Sequence, residues 1–198
     1  MVILDRNVGN VSISSVEINN QQAVYEAIQY LIDNGHQRIG YMSESLNDTL
    51  KRRLEGYKLA LDDNGIDYNP EIVFINEKIQ ADKVDHGYEL MKRVLSSIDE
   101  MPTAFFGASE IIAVEAMKAI KEKNLRIPED IVIMGFDDIA FSKFTEPPLT
   151  TVFQPKLEMG KRAVQLLLEL IESRFSKPKQ SKVVLQTALI IRDSVREV

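Results

Sequence analysis

The sequence predicts an α/β fold built on mainly parallel sheets with helices on both faces. Three observations predict it. Short β-branched apolar runs alternate with helical patterns along nearly the whole chain, which is the signature of βαβ units. The run Ile131 to Gly135 is apolar throughout and bounded by Pro128 and Gly135, as a strand buried on both faces would be. Two carboxylates, Asp137 and Asp138, stand just past Phe136, at the strand end where open α/β sheets bind ligands.

Taken in order, Val2 to Leu4 and Val16 to Ile18 read as strands. Asn20 to Asn34 is a helix, with Val24, Ala27, Ile28, Leu31 and Ile32 on one face and Gly35 placed to end it. Arg38 to Met42 is a strand. Lys51 to Asn64 is a helix carrying Leu54, Tyr57 and Leu61, closed by Gly65. A strand over Ile72 to Ile75 leads to a helix over Lys83 to Ile98, and a strand over Thr103 to Phe106 leads to a helix over Ile111 to Lys123. Beyond the strand at Ile131 come a strand over Thr150 to Phe153 and a helix from Pro155 to about Ser173. Proline suits that start because its missing N–H would be an orphan there. The apolar positions of this helix are Leu157, Ala163, Val164, Leu167, Leu168 and Ile171. A basic loop holding Lys177, Pro178, Lys179 and Lys182 precedes a final strand, Val183 to Arg192.

The composition narrows the function. With 198 residues, 44% hydrophobic and 27% charged, the chain has length for a substantial core. Its net charge of −6 and the lack of a long basic block argue against a bare nucleic-acid surface. There is no cysteine, hence no disulfide framework and no thiolate chemistry, in keeping with a reducing compartment. No apolar stretch approaches a membrane span, and the N-terminus lacks a signal-peptide pattern. Met1 is followed at once by a strand run, the pattern of a domain cut within a strand.

The residues past successive strands carry the candidate chemistry. They are Ser43, Glu44 and Ser45, then Asn76 and Glu77, then Ser109 and Glu110, then Asp137 and Asp138. Arg52 and Arg53 open the first helix of this unit. Parallel strands would gather these hydroxyls and acids on one sheet edge, where they suit a neutral polyol: acids accept hydroxyl protons and Arg donates in a planar fork. Ordinary loop composition would place polar residues there as well. Asp137, Asp138 and Glu110 could alternatively hold Mg²⁺ for phosphate chemistry, but no glycine-rich phosphate loop accompanies them. His36 and His86 are the two histidines; His36, at a helix-to-strand turn, reads as a structural hydrogen-bonding residue. No nucleophile elbow is visible. Phe141 and Phe144, in a polar loop, either tuck onto the core or mark a partner surface.

Several segments together resemble the effector-binding core of the LacI/GalR family of bacterial transcription regulators, nearest its galactose-repressor branch. They are YLIDNGHQRIGYMSE, RRLEGYKLALDDNGI, PTAFFGASEIIAVEAMKAI, RIPEDIVIMGFDDI, PPLTTVFQPKLEMGKRAVQLLLELI and LIIRDSV. The resemblance covers nearly the whole chain. It implies a periplasmic-binding-protein-like pair of Rossmann-like subdomains joined by three crossovers, expected near Gly35, Gln154 and Val183. Residues 1–35 and 154–182 would form a partial first subdomain, and 36–153 with 183–198 a second, complete one. The DNA-binding helix-turn-helix head would lie before Met1, so operator DNA would be a partner only through that head.

By the same resemblance Arg53 and Asp137 hold effector hydroxyls, and Gln154 lines the cleft at a crossover. Ser109 and Glu110 stand where most members have Asn-Asp, Asp82 where many stack an aromatic ring, and Gln22 on the effector side of the first subdomain. Phe141, Phe144, Val114 and Met117 fall on the expected homodimer interface. The implied function is a cytoplasmic, sugar-responsive repressor core, allosteric rather than enzymatic, without metal, cofactor or membrane. An extracytoplasmic sugar-binding transport protein of the same fold is the alternative, and an acid-pair phosphatase the third reading.

Overall fold

The computed structural model describes residues 1–5, 13–76, 85–98, 100–172 and 181–198. Two sheets form the framework. The smaller has three parallel strands in the order β1 (Val2–Leu4), β2 (Ser14–Ile18), β8 (Lys182–Leu185). The larger has six, in the order β4 (Val73–Ile75), β3 (Ile39–Ser43), β5 (Ala104–Gly107), β6 (Val132–Asp137), β7 (Thr150–Phe153), β9 (Ala188–Ile190). All its pairings are parallel except that of the edge strand β9 with β7.

The larger sheet is covered on both faces, as its apolar central strands require. The alternation of side chains along a strand divides the core in two. Ala104 and Phe106 of β5 and Val132, Met134 and Phe136 of β6 pack with α1 (Asn20–Asp33) and α2 (Asp48–Asp63). Phe105 and Ile133, facing the other way, pack with α3 (His86–Ser97) and α4 (Glu110–Glu122). Helix α5 (Lys156–Glu172) lies on β1 and β2 of the smaller sheet.

Local chemistry sets the boundaries. Asn19 caps α1 by accepting from the Gln22 N–H at 3.1 Å. Gly35 follows the helix with φ +91, a conformation that glycine adopts without strain. Asn47 accepts from the Leu50 N–H at 3.0 Å, so α2 starts at Asp48, three positions ahead of the expected Lys51. Asn69 accepts from the Glu71 N–H and holds Pro70–Ile72 in a 3-10 turn, which delays β4 to Val73. His36 is the structural residue expected: buried, with Nε2 on the Arg196 carbonyl at 3.0 Å and Nδ1 on the Thr103 hydroxyl at 2.9 Å.

Three expectations are corrected. The single strand over Val183 to Arg192 is two: β8 belongs to the smaller sheet and β9 to the larger, so the chain changes sheet at 186–187 rather than near Val183. Helix α1, grouped by the expected boundary at Gly35 with the smaller sheet, packs against α2 and beneath the larger one. A Cβ on Gly56 of α2 would come within 2.2 Å of the Gln21 carbonyl oxygen, so this contact is intimate. The first crossing therefore falls at Asn19, between β2 and α1. Finally, α5 buries Met159 and Leu166, while Leu157, Val164, Leu167, Leu168 and Ile171 are exposed.

Candidate functional site

A hollow of about 910 Å³ opens between the two sheets, at the carboxyl ends of β3, β5 and β6. One wall is mostly apolar, made by Met1, Ile3 and Leu4 of the β1 segment with Met159 of α5. The facing wall is polar: Glu44, Asn47, Asp48, Arg53, Ser109, Asp137, Gln154 and Lys156.

Arg53 and Asp137 meet at the centre of that wall. The Arg53 side chain is buried, yet its Nη2 lies 3.7 Å from Asp137 Oδ1. Two of its five N–H donors are committed, Nε to Asn20 Oδ1 at 2.9 Å and Nη1 to the Ala108 carbonyl. The guanidinium carbon sits 3.5 Å from the centre of the Phe136 ring, a cation–π placement that fixes its plane. Burial lowers the Arg53 pKa, and Asp137 opposes that shift. Burial in turn raises the Asp137 pKa, opposed by Arg53, Lys156 and the backbone N–H of Glu110. Gln154 Nε2 donates to Asp137 Oδ1 at 2.6 Å, and Lys156 Nζ donates to the Asp137 carbonyl. Asp137 has φ +116 and Asp138 φ +45, strained geometry of the kind concentrated at functional sites.

Of the residues singled out from sequence, Arg53, Asp137, Ser109 and Gln154 share this hollow. Ser109 donates to Glu44 Oε2 at 3.2 Å. Glu110 does not join them. Its carboxylate is buried beneath the sheet end and accepts from the Ser142 and Thr151 hydroxyls, because α4 begins at Glu110 and turns its side chain inward. Gln22 lines no part of the hollow and donates along its own helix to Glu26. Asp82 lies outside the described residues, as does Glu77. Asn76 pairs with His86 at 2.8 Å.

The two acids after β6 part company. Asp137 faces the hollow, while Asp138 accepts from Arg192 Nη2 at 2.6 Å. Arg192 Nη1 also donates to the Leu149 carbonyl, and Ser194 Oγ donates to the Ile133 carbonyl at 2.7 Å. The closing Arg-x-Ser segment thus ties the C-terminus to β6 and to the residue before β7. No three acidic or histidine side chains among the described residues gather as a metal site, and the Mg²⁺ arrangement of Asp137, Asp138 and Glu110 is not formed.

Sequence reasoning did not find Asn20, which orients Arg53, nor Phe136 as its platform. In sequence Asn20 reads only as the start of a helix, and only the tertiary fold brings it onto Arg53. Elsewhere, Phe141 and Phe144 are 57% and 71% exposed. A second hollow, about 430 Å³, runs past Val114, Met117 and Glu146; Met117 is at its base, in the core.

Comparison with known proteins agrees with this architecture. A family profile described as a periplasmic binding protein-like domain matches residues 12–195. The HTH-type transcriptional repressor PurR of Haemophilus influenzae (strain PittEE) is 38% identical over 200 residues, covering 100% of this chain and 58% of the relative. A LacI family transcriptional regulator from Enterococcus faecium with bound ribose superposes with TM-score 0.87 at 25% identity, over 100% of this chain and 71% of that one. The transcriptional regulator CelR in complex with cellobiose gives TM-score 0.86 at 30% identity, over 98% and 58%. The chain spans 58% of the length of the curated relative it matches. The relatives are repressors and regulators, not enzymes.

Proposed function

Since this chain belongs to the LacI/GalR family of transcriptional regulators, we propose that it is the effector-sensing core of a sugar-responsive repressor. The observation that carries the proposal is the Arg53–Asp137–Gln154 cluster at the polar wall of the inter-sheet hollow. Asp137, Glu44 and Asp48 supply acceptors for hydroxyls, Arg53 supplies a planar donor edge, and Ser109 and Asn47 do both. The apolar wall of Ile3, Leu4 and Met159 suits the carbon face of a sugar ring.

In this reading the two sheets are the two subdomains. Residues 1–18 and 156–185 form one, residues 20–153 and 188–198 the other, and the crossings lie at Asn19, Gln154 and 186–187. A sugar bound between them makes different contacts with two arrangements and shifts their populations. The core pairs as a homodimer through the Phe141/Phe144 face, with Val114 and Met117 behind it. Operator DNA is met by a helix-turn-helix head of the kind named in the PurR relatives, in the cytoplasm; no helix among the described residues is long and apolar enough to cross a membrane. The repressor relatives favour this reading over a transport protein of the same fold.

Two measurements test it. Calorimetric titration with a panel of neutral sugars should give binding that weakens on the order of 100-fold in Arg53→Ala, the scale for removing one partner of a buried charge pair. A panel without heat ends the proposal. Light scattering should show a dimer that dissociates in Phe141→Ser/Phe144→Ser; an unchanged mass would move the interface elsewhere.

A further inference from the structure

Arg53 is 4% exposed, and a cation so deeply buried must be held by the groups around it. Three elements grip its guanidinium. The Ala108 carbonyl, just past β5, takes Nη1, and the ring of Phe136 in β6 lies against the plane. Asn20, the first residue of α1, takes Nε at 2.9 Å and is itself 7% exposed. A guanidinium only donates, so the oxygen of the Asn20 amide is the atom that meets it. Backbone contact sets the spacing. Gln21, next to Asn20, faces Gly56, three residues beyond Arg53, where a Cβ would stand 2.2 Å from the Gln21 carbonyl oxygen. Asn19 caps the helix on the Gln22 N–H, which leaves the Asn20 side chain to Arg53.

What Asn20 leaves open matters as much as what it takes. Nε and Nη2 form one edge of the guanidinium fork, and a carboxylate engages both with its two oxygens. An amide has one oxygen, and here it goes to Nε. Among the described residues Nη2 then makes no hydrogen bond. The Asp137 carboxylate stands 3.7 Å from it, wider than a hydrogen bond, and Asp137 Oδ1 already accepts from Gln154 at 2.6 Å. Arg53 and Asp137 both line the hollow, so the uncommitted corner of the fork lies on its polar wall.

We propose that Asn20 is a positioning residue whose single acceptor secures Arg53 at Nε and reserves Nη2 for a hydroxyl of the effector. This rests on the cleft reading above for its ligand. An aspartate in its place would suit the buried cation better and the site worse. It adds a compensating charge, and a first-turn acid favours the helix N-terminus. Its second oxygen, however, draws Nη2 away from the hollow. Stability and binding therefore part company at this residue, a separation that a packing role alone does not produce.

Asn20→Asp and Asn20→Ala are titrated calorimetrically with D-ribose and cellobiose, and each protein is melted beside the parent. Both probes are neutral, so the charge added by Asn20→Asp does not repel them. The role is upheld if Asn20→Asp melts no lower than the parent yet binds at least about tenfold more weakly, the scale of one hydrogen bond to a charged group. It is overturned if Asn20→Asp binds as the parent does. Where Asn20→Asp melts lower or fails to fold, a double-mutant cycle decides. Asn20→Ala must weaken binding alone and add nothing beside Arg53→Ala, because it acts through the fork; an equal further loss in that background overturns the role. Absence of heat with both sugars counts against the cleft reading instead. The positioning is then decided without ligand, by NMR of isotope-labelled arginine with the Arg53 signals identified through Arg53→Lys. Asn20→Ala must move the Nε proton, and Asn20→Asp must move the Nη2 protons downfield as a charge-assisted bond forms. Signals that stay in place overturn it.

Discussion

At the scale of single residues, three neighbouring acids are given three fates by their partners. Asp137 faces the cleft beside Arg53, Asp138 is taken by Arg192, and Glu110 is sealed under the sheet with two hydroxyls. The Glu110 pKa is raised above its ordinary 4.5, first by burial and also by the charges of Asp137 and Asp138, against the two hydroxyl bonds. A group with a raised folded pKa contributes stability that is complete below the unfolded value and is lost as pH climbs through the folded one. Glutamine does not titrate. Melting Glu110→Gln beside the parent should therefore show the variant gaining relative stability as the pH rises from about 4.5 to neutrality. A parent that gains on the variant over that range would mean that the ionised carboxylate is favoured where it lies. The sequence could nominate these three acids because they follow strands. It could not sort them, since Arg192 and Thr151 reach them only through long-range contacts.

At the scale of elements, the strands and helices were legible because their apolar periodicity is strong, and the sites of disagreement have physical causes. The cap residues Asn47 and Asn69 moved two boundaries by one helical turn or less. The exchange between sheets at 186–187 left no mark in hydropathy, since β8 and β9 are both half-exposed strands. The grouping of α1 was decided by packing: Gly56 lets the backbone of α2 meet that of α1, and Gly87 does the same for α3 against Ile112 of α4, with a Cβ 2.2 Å from its carbonyl oxygen. Backbone atoms on both sides cannot yield as a side-chain tip does. Gly56→Ala should cost about 1–3 kcal/mol in chemical denaturation, the usual scale of overpacking, whereas Gly65→Ala meets nothing within 4 Å. Gly65 has φ +66, so its loss reflects backbone strain alone, about 1 kcal/mol. Equal, negligible effects at both positions would mean that the two helices are not seated on one another.

At the scale of the whole molecule, an acidic chain holds an acidic cleft. Among the described residues the hollow is lined by Asp5, Glu44, Asp48 and Asp137, against Arg53 and Lys156. The positive charge is already engaged. Arg53 is turned onto Asp137, Asn20 and the Ala108 carbonyl, and Lys156 onto the main chain of Asp137. An uncharged polyol finds acceptors here, whereas a phosphate ester brings roughly −1.5 to −2 charges at neutral pH. At an effective dielectric near 20, two unit like charges about 6 Å apart repel by roughly 3 kcal/mol, before salt reduces it. Ribose 5-phosphate should therefore bind at least about tenfold more weakly than ribose, a margin of 1.4 kcal/mol. The gap should narrow as KCl is raised, because screening weakens repulsion and leaves hydroxyl contacts largely untouched. Glu44→Gln should narrow it too, by removing one acceptor charge while keeping the side chain's shape. Equal affinity for the two sugars at low salt would mean that a cation outside the described wall meets the phosphate, and the charge argument for a neutral effector would fall with it.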